Sequence, residues 1–277
     1  MEIITGAARL RSRLAAAGSI AFVPTMGNLH EGHLQLMRLA RQHGDLVIAS
    51  IFVNRLQFGP NEDFDRYPRT FENDCAALER EGTDIVFAPG ELEMYPVAQT
   101  YRVTPPASAD ELEGQFRPGF FHGVCTVVLK LFNLVRPDVA VFGKKDRQQL
   151  EMIRGMVEQL NLPIQILPAE TVRAGDGLAL SSRNSFLSAL ERAEAPRLFR
   201  TLSSVAGELI EGKSSDAVLE ATGRAELERH GWKVDYIAIR DDPEGRGQRI
   251  PGSRIVLGAA TLGTTRLIDN VDVPRGR

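Results

Sequence analysis

The sequence predicts an α/β fold, a parallel sheet flanked by helices, followed by a smaller α+β region at the carboxyl end. Short apolar runs without internal alternation recur at 20–23, 45–53, 83–88, 138–142 and 163–167, the pattern of strands covered on both faces. Stretches of helical period separate them. After about residue 171 the order changes to helices first and strands last, which predicts domains of 1–171 and 172–277.

The bulk composition fits such a chain. Its 277 residues are 43% hydrophobic and 25% charged, enough for one large core or two modest ones. A net charge of −3 with no dense block of lysine and arginine argues against an extended nucleic-acid surface. Cys75 and Cys125 lack the spacing of a disulfide framework or a metal site, so no protein-held metal is expected. No stretch reads as a leader or a membrane span, and a cytoplasmic protein is expected.

Residues 2–17 read as a short amphipathic helix. The run Ile20–Val23 leads into Pro24–His33 (PTMGNLHEGH), where Met26-Gly27-Asn28 turns the chain. A helix then runs through Leu34, Met37, Leu39 and Ala40 toward Gly44. His30 and His33 thus stand at a helix mouth, where backbone N–H groups lack intrahelical partners and the macrodipole favours an anion. Gly32 keeps the wall low between them. Residues three apart share a helix face, so both imidazoles can donate to one phosphate. A zinc protease needs its second histidine at i+4, but position 34 is Leu, which excludes that chemistry. The H-x-G-H pattern is similar to that of adenylyl-transferring enzymes with a Rossmann-like core. His43, near the helix end, is given no chemistry.

Asn54 and Gln57 follow the next strand, where open α/β sheets bind ligands. Neutral amides there suit a small hydroxylated carboxylate that must be oriented without being locked in an ion pair. Arg55 between them keeps a phosphorylated acceptor open as the alternative. Pro60–Thr70 is an acidic, aromatic loop, and Thr70 is placed to cap a helix reaching about Glu81. Beyond the strand at 83–88 comes a less regular excursion with a strand-like piece at Thr100–Val103. Residues 119–135 are apolar nearly all round, which fits a buried helix or a partner-facing one; His122 packs or caps there.

Strand 138–142 gives way to Gly143-Lys144-Lys145-Asp146, repeating the first unit's geometry. Only five lysines accompany 28 arginines, and two of them sit at this turn. A lysine there can act as a mobile charge on phosphate, and Asp146 can accept from ribose hydroxyls. The helix that follows, 146–160, carries Gln148 and Gln149 in its first turn. At the junction, Ser181-Ser182-Arg183 combines hydroxyl donors with a guanidinium fork, a clamp for outer phosphates. Ser188-x-x-Glu191 is a capping box opening a helix toward Ile210. A second helix covers about 215–230, and strands follow at 235–239, 254–257 and 265–268.

PTMGNLHEGH, SIFVN with QF, EDFDRYPRT, TVVLKLFNLVRPD, the FG-K-KD-x-QQL run, DGLALSSRN and TRLIDN together resemble the pantoate:β-alanine ligase family, over nearly the whole chain. The resemblance implies a Rossmann-like nucleotidyltransferase domain with a smaller lid domain, in a homodimer. It implies condensation of pantoate with β-alanine using ATP and Mg2+, through a pantoyl-adenylate. ATP would lie against Met26, Gly27, Asn28, Leu29, His30, Glu31, Gly32 and His33, with His33 as proton donor. Gly143, Lys144, Lys145, Asp146, Val172, Leu180, Ser181, Ser182 and Arg183 would complete the nucleotide site. Gln57 and Gln149 would hold pantoate, and Gln57 would also lie beside β-alanine. The chain departs from the family pattern at Arg55, Phe120, Lys144 and Arg147, and each departure leaves the principal contacts intact. The rivals are an adenylyl transferase acting on a phosphorylated acceptor, a tRNA-charging enzyme, and a noncatalytic nucleotide-binding regulator.

Overall fold

The structure, a computed structural model, describes residues 1–60, 62, 64–212, 214–242 and 253–273. Positions 61 and 63 of the expected Pro60–Thr70 loop lie outside the described residues. The chain divides into two compact units, Met1–Ala169 and Glu170–Arg277.

The first unit holds strands β1 (Glu2–Ile4), β2 (Ile20–Thr25), β3 (Leu46–Ile51), β4 (Ile85–Phe87), β5 (Val139–Gly143) and β6 (Gln165–Ala169). They form one parallel sheet in the order β1-β4-β3-β2-β5-β6. Its helices include α1 (Ala7–Leu14), α2 (Glu31–Arg41), α3 (Phe71–Arg80), α4 (Glu91–Met94), α5 (Glu113–Phe116), α6 (Phe120–Val135) and α7 (Arg147–Gln159). Because side chains alternate along a strand, each central strand feeds two cores. Ile20 and Phe22 of β2, Ile48 of β3 and Phe142 of β5 pack with Leu10, α6 and α7. Ala21, Val23, Val47 and Val141 pack with Leu36, Met37 and Ala40 of α2 and Leu78 of α3. Double coverage is why these strands read as unbroken apolar runs.

Several expectations are corrected. Residues 2–17 are not one helix: Glu2–Ile4 pair with β4 as an edge strand, and only Ala7–Leu14 are helical. Two adjacent isoleucines favour extended backbone, but three residues are too few to show a period. Thr100–Val103 joins no sheet; the Val103 N–H donates to the Thr126 hydroxyl at 3.1 Å. α2 stops at Arg41 rather than Gly44. The apolar face of α6 is accounted for by this unit's own core, where Phe121, Val124, Val128, Leu131 and Phe132 are buried. His122 is half-buried within α6, whose N-cap is Gly119.

The second unit holds α8 (Ala189–Glu194), α9 (Arg197–Glu211), α10 (Asp216–Arg229) and an antiparallel sheet of β7 (Lys233–Asp241), β8 (Arg254–Leu262) and β9 (Thr265–Val273). The capping box at Ser188 and Glu191 forms as expected. The expected single helix to Ile210 breaks at Ala195-Pro196, because proline has no N–H to continue the ladder. Leu198, Leu202 and Val205 of α9 with Leu219 and Leu227 of α10 cover Ile237, Val256 and Ala260 of the sheet.

Candidate active site

β2 and β5 are neighbours, but the chain runs from β2 to β3 on one side and from β5 to β6 on the other. The connections leaving their carboxyl ends diverge there, which opens the crevice where doubly wound sheets hold ligands. The loop after β2 carries His30 and His33. The turn after β5, Lys144–Asp146, carries Lys145.

The two imidazoles cap their own helix. The His30 ring, at the N-cap of α2, accepts the Gly32 N–H at Nδ1 (3.1 Å), and the His33 ring accepts the His30 N–H at Nδ1 (3.3 Å). A ring nitrogen that accepts a hydrogen bond carries no proton, so each neutral ring carries its proton on Nε2. The ring centroids are 4.1 Å apart, with the planes tilted by 40°. Burial holds His30 down to about 4, helped by the Lys145 charge and opposed by Asp146. Burial, then His30, then Lys145 hold His33 down to about 3. Both rings are therefore neutral donors near pH 7, with Lys145 as the adjacent cation.

This corrects one expectation. Five backbone N–H groups at the turn and the start of α2 already have partners within the protein. That of Gly32 goes to the His30 ring, those of His33 and Leu34 to the His30 carbonyl, and those of Asn28 and Leu29 to the Asp74 carboxylate.

A second group of residues fixes an amide. Asn54, fully buried after β3, has all its bonding capacity occupied. Its Oδ1 accepts from the Leu56 N–H (3.3 Å) and the Tyr95 hydroxyl (2.7 Å). Its Nδ2 donates to the Gly123 carbonyl (3.2 Å) and to Gln57 Oε1 (3.1 Å). A carbonyl only accepts and a backbone N–H only donates, so the Asn54 amide has one orientation, and it dictates that of Gln57. The Gln57 Nε2 donors are left facing Met26, whose sulfur lies 3.1 Å away and is a weak acceptor. Gly123 is needed for this contact, because a Cβ there would meet the Leu56 carbonyl oxygen at 2.2 Å. Burial raises the Tyr95 phenol above its usual range, which keeps it a donor.

Other expected residues divide. Gln149 is half-buried in the first turn of α7, one turn beyond Lys145. Its neighbour Gln148 is committed to structure, bonding the Glu113 N–H and the carbonyls of Ser108 and Glu111. Lys144 is buried, so it is no solvated turn charge, and Arg147 is buried against Glu151 at 3.0 Å. Arg55 pairs with Glu91 (3.2 Å) and stacks on Phe64 (3.9 Å), so its charge serves the protein, which weakens the phosphorylated-acceptor alternative. Thr70 sits at the N-cap of α3 without capping it; its hydroxyl donates to Asp74.

Val172 and Leu180–Arg183 belong to the second unit, where they come together with one another. The Leu180 N–H bonds the Val172 carbonyl (2.9 Å), and the Ser181 hydroxyl caps the turn at Arg183 (3.3 Å). Asp74, Tyr95, Gly123 and Arg117 were not legible beforehand. Arg117 clasps Glu62 through Nε at 3.0 Å and donates to the Gln57 carbonyl at 3.3 Å. None stands in a recognisable spacing, and each acts from a segment remote in sequence.

The family model described as pantoate-beta-alanine ligase matches residues 2–272. The pantothenate synthetase of Nitrosospira multiformis is 58% identical over 274 residues, which is 99% of this chain and 98% of that relative. Among solved structures, pantothenate synthetase from Thermus thermophilus superposes with a TM-score of 0.90 at 44% identity, covering 99% of both chains. The pantoate-beta-alanine ligase of Francisella tularensis, solved with beta-gamma ATP and beta-alanine, matches with a TM-score of 0.80 at 32% identity, over 98% of this chain and 97% of that one.

Proposed function

The chain belongs to the pantoate-beta-alanine ligase family, and from that premise we propose that it activates pantoate as an acyl-adenylate and passes the acyl group to β-alanine. The observation that carries this reading is the pair of Nε2-protonated imidazoles beside Lys145 at the carboxyl ends of β2 and β5.

ATP lies along the signature turn and the turn after β5. A pantoate carboxylate oxygen attacks the α-phosphorus; a P–O bond forms, the bond to the β-phosphate bridging oxygen breaks, and pyrophosphate leaves. Charge shifts onto phosphate oxygens in this step, and donors already in place stabilise it without reorganising. His30 and His33 supply two Nε2–H bonds and Lys145 a mobile cation, with His33 as the principal donor. Neutral imidazoles suit this task, since they donate without first having to gain a proton. Gln57, its amide set by Asn54, and Gln149 orient pantoate's hydroxyl and carboxylate. The unprotonated amine of β-alanine, beside Gln57, then attacks the acyl carbon. The C–O bond to AMP breaks, the amine loses a proton, and pantothenate and AMP result. Ser181, Ser182 and Arg183 serve as further phosphate donors.

Among the described residues no group of three or more His, Cys, Asp or Glu is arranged to hold a metal. Magnesium, expected together with the nucleotide, would neutralise phosphate charge beside Lys145. No helix among the described residues is long and apolar enough to cross a membrane.

Pantoate-dependent exchange of labelled pyrophosphate into ATP, without β-alanine, tests the proposal. Exchange is expected in the native protein. His33→Ala is expected to lower it about 10²–10³-fold with an unchanged melting transition. Exchange that ignores pantoate, or survives His33→Ala intact, contradicts the reading.

A further inference from the structure

The geometry points to Asp74 as a positioning residue for adenylyl transfer, one that fixes the signature turn and through it the aim of both imidazoles; the inference rests on the function proposed above. Asp74 lies in the first turn of α3, 3% exposed, and forms no ion pair among the described residues. Its Oδ2 accepts the Asn28 N–H at 2.9 Å and its Oδ1 the Leu29 N–H at 2.8 Å, while the Thr70 hydroxyl donates to Oδ2 at 3.1 Å. One carboxylate thus grips two consecutive backbone donors immediately before His30.

That grip offsets a cost. Gly27 and Asn28 have φ of +82° and +50°, and for a residue with a Cβ the left-handed region is unfavourable. Such backbone persists only where its surroundings hold it. On one side of the turn lies a cavity of about 320 Å³ lined by Met26, Gly27, Phe64, Thr70, Phe71 and Asp74. The Asp74 carboxylate lines that cavity and bonds both N–H groups of the turn. Because His30 N–H and Nδ1 both take part in the cap, a turn that relaxes would release the rings from their fixed tautomers.

Charge and position make opposite demands on Asp74, and that separates them. A carboxylate near a triphosphate repels it, so were its charge the main influence, Asp74→Asn would tighten ATP. A positioning carboxylate predicts weakening, because an asparagine amide nitrogen cannot accept the second N–H. The experiment uses the full-length protein with Asp74→Asn, Thr70→Ala and, as a comparably destabilised control away from the turn, Leu10→Ala. Pyrophosphate exchange gives KM for ATP and kcat, and nitrogen-15 NMR of the imidazoles reports the Nε2–H tautomer. For Asp74→Asn we expect KM for ATP to rise about tenfold and the imidazole signals to lose their fixed-tautomer pattern. Thr70→Ala should show a smaller shift in the same direction, and Leu10→Ala neither change. Unchanged or lower KM for ATP in Asp74→Asn, or native imidazole signals in it, overturns the inference. If the native protein shows no pantoate-dependent exchange, the proposed function fails while the imidazole spectra still decide the role of Asp74.

Discussion

His30 and His33 are often the kind of residue assumed to be cationic beside a phosphate, but each ring accepts a backbone N–H at Nδ1 and is held neutral by burial. A proton added at Nδ1 would break the cap of α2. In a nitrogen-15 or proton titration of the ligand-free protein, neither ring is expected to show a midpoint near 6.5; a midpoint above 6 for either contradicts the capping geometry. The same shifts set a pH dependence of stability. Folded values of about 4 and about 3 lie below the unfolded value near 6.5, so the unfolded chain takes up protons first. Stability is complete above about pH 6.5 and declines as pH falls, by about 2 kcal/mol per ring at pH 5. Urea titrations at pH 7 and 5 on the native protein and His33→Asn should show the smaller pH loss in the variant. Gly27 is a second position where one atom decides: a Cβ there would sit 3.0 Å from Asp74 Oδ2 on a backbone of φ +82°, so Gly27→Ala is expected to raise KM for ATP.

The turn Arg55–Gln57 after β3 gains its order from α4 and α6, through Tyr95 and the Gly123 carbonyl. Asn54→Asp keeps the shape but presents oxygen where Nδ2 now donates, toward the Gly123 carbonyl and Gln57 Oε1. Steady-state kinetics should show KM for pantoate raised about tenfold or more with KM for ATP nearly unchanged, and Tyr95→Phe a smaller effect in the same direction. An equal rise for both substrates would mean that the turn acts on the whole site. This element shows how far the sequence could be read. Asn54 and Gln57 were visible as amides at a strand end, because position after a buried apolar run is a local pattern. That Asn54 orients Gln57 instead of facing the ligand was not, since its partners come from residues 95 and 123. The helix mouth was legible through the i+3 histidines, but the partner of the Asn28 and Leu29 N–H groups, Asp74, lies more than 40 residues away. β1 escaped because three residues on a sheet edge carry no period, and the break before α9 was legible only in Pro196.

At the scale of the whole first unit, the order β1-β4-β3-β2-β5-β6 brings together two turns that are far apart in sequence, after β2 and after β5, and the proposed function rests on that convergence. The second unit has its own anchor. Arg173 forks onto Asp269 at 2.5 and 2.9 Å, donates to the Gly177 and Asn270 carbonyls and stacks on Phe199 at 3.9 Å. Arg173→Ala would leave a buried carboxylate without its partner, and should lower the stability of this unit by about 3–5 kcal/mol. Fluorescence of Trp232, the chain's single tryptophan and buried in that core, follows the unfolding directly. The chemistry itself is tested most directly by following oxygen. With both carboxylate oxygens of pantoate labelled with oxygen-18, attack on the α-phosphorus and later cleavage of the acyl C–O bond transfer one labelled atom to AMP and leave one in pantothenate. Mass spectrometry of the products is expected to find a single oxygen-18 in every AMP formed; unlabelled AMP would contradict an acyl-adenylate and the role given to the paired imidazoles.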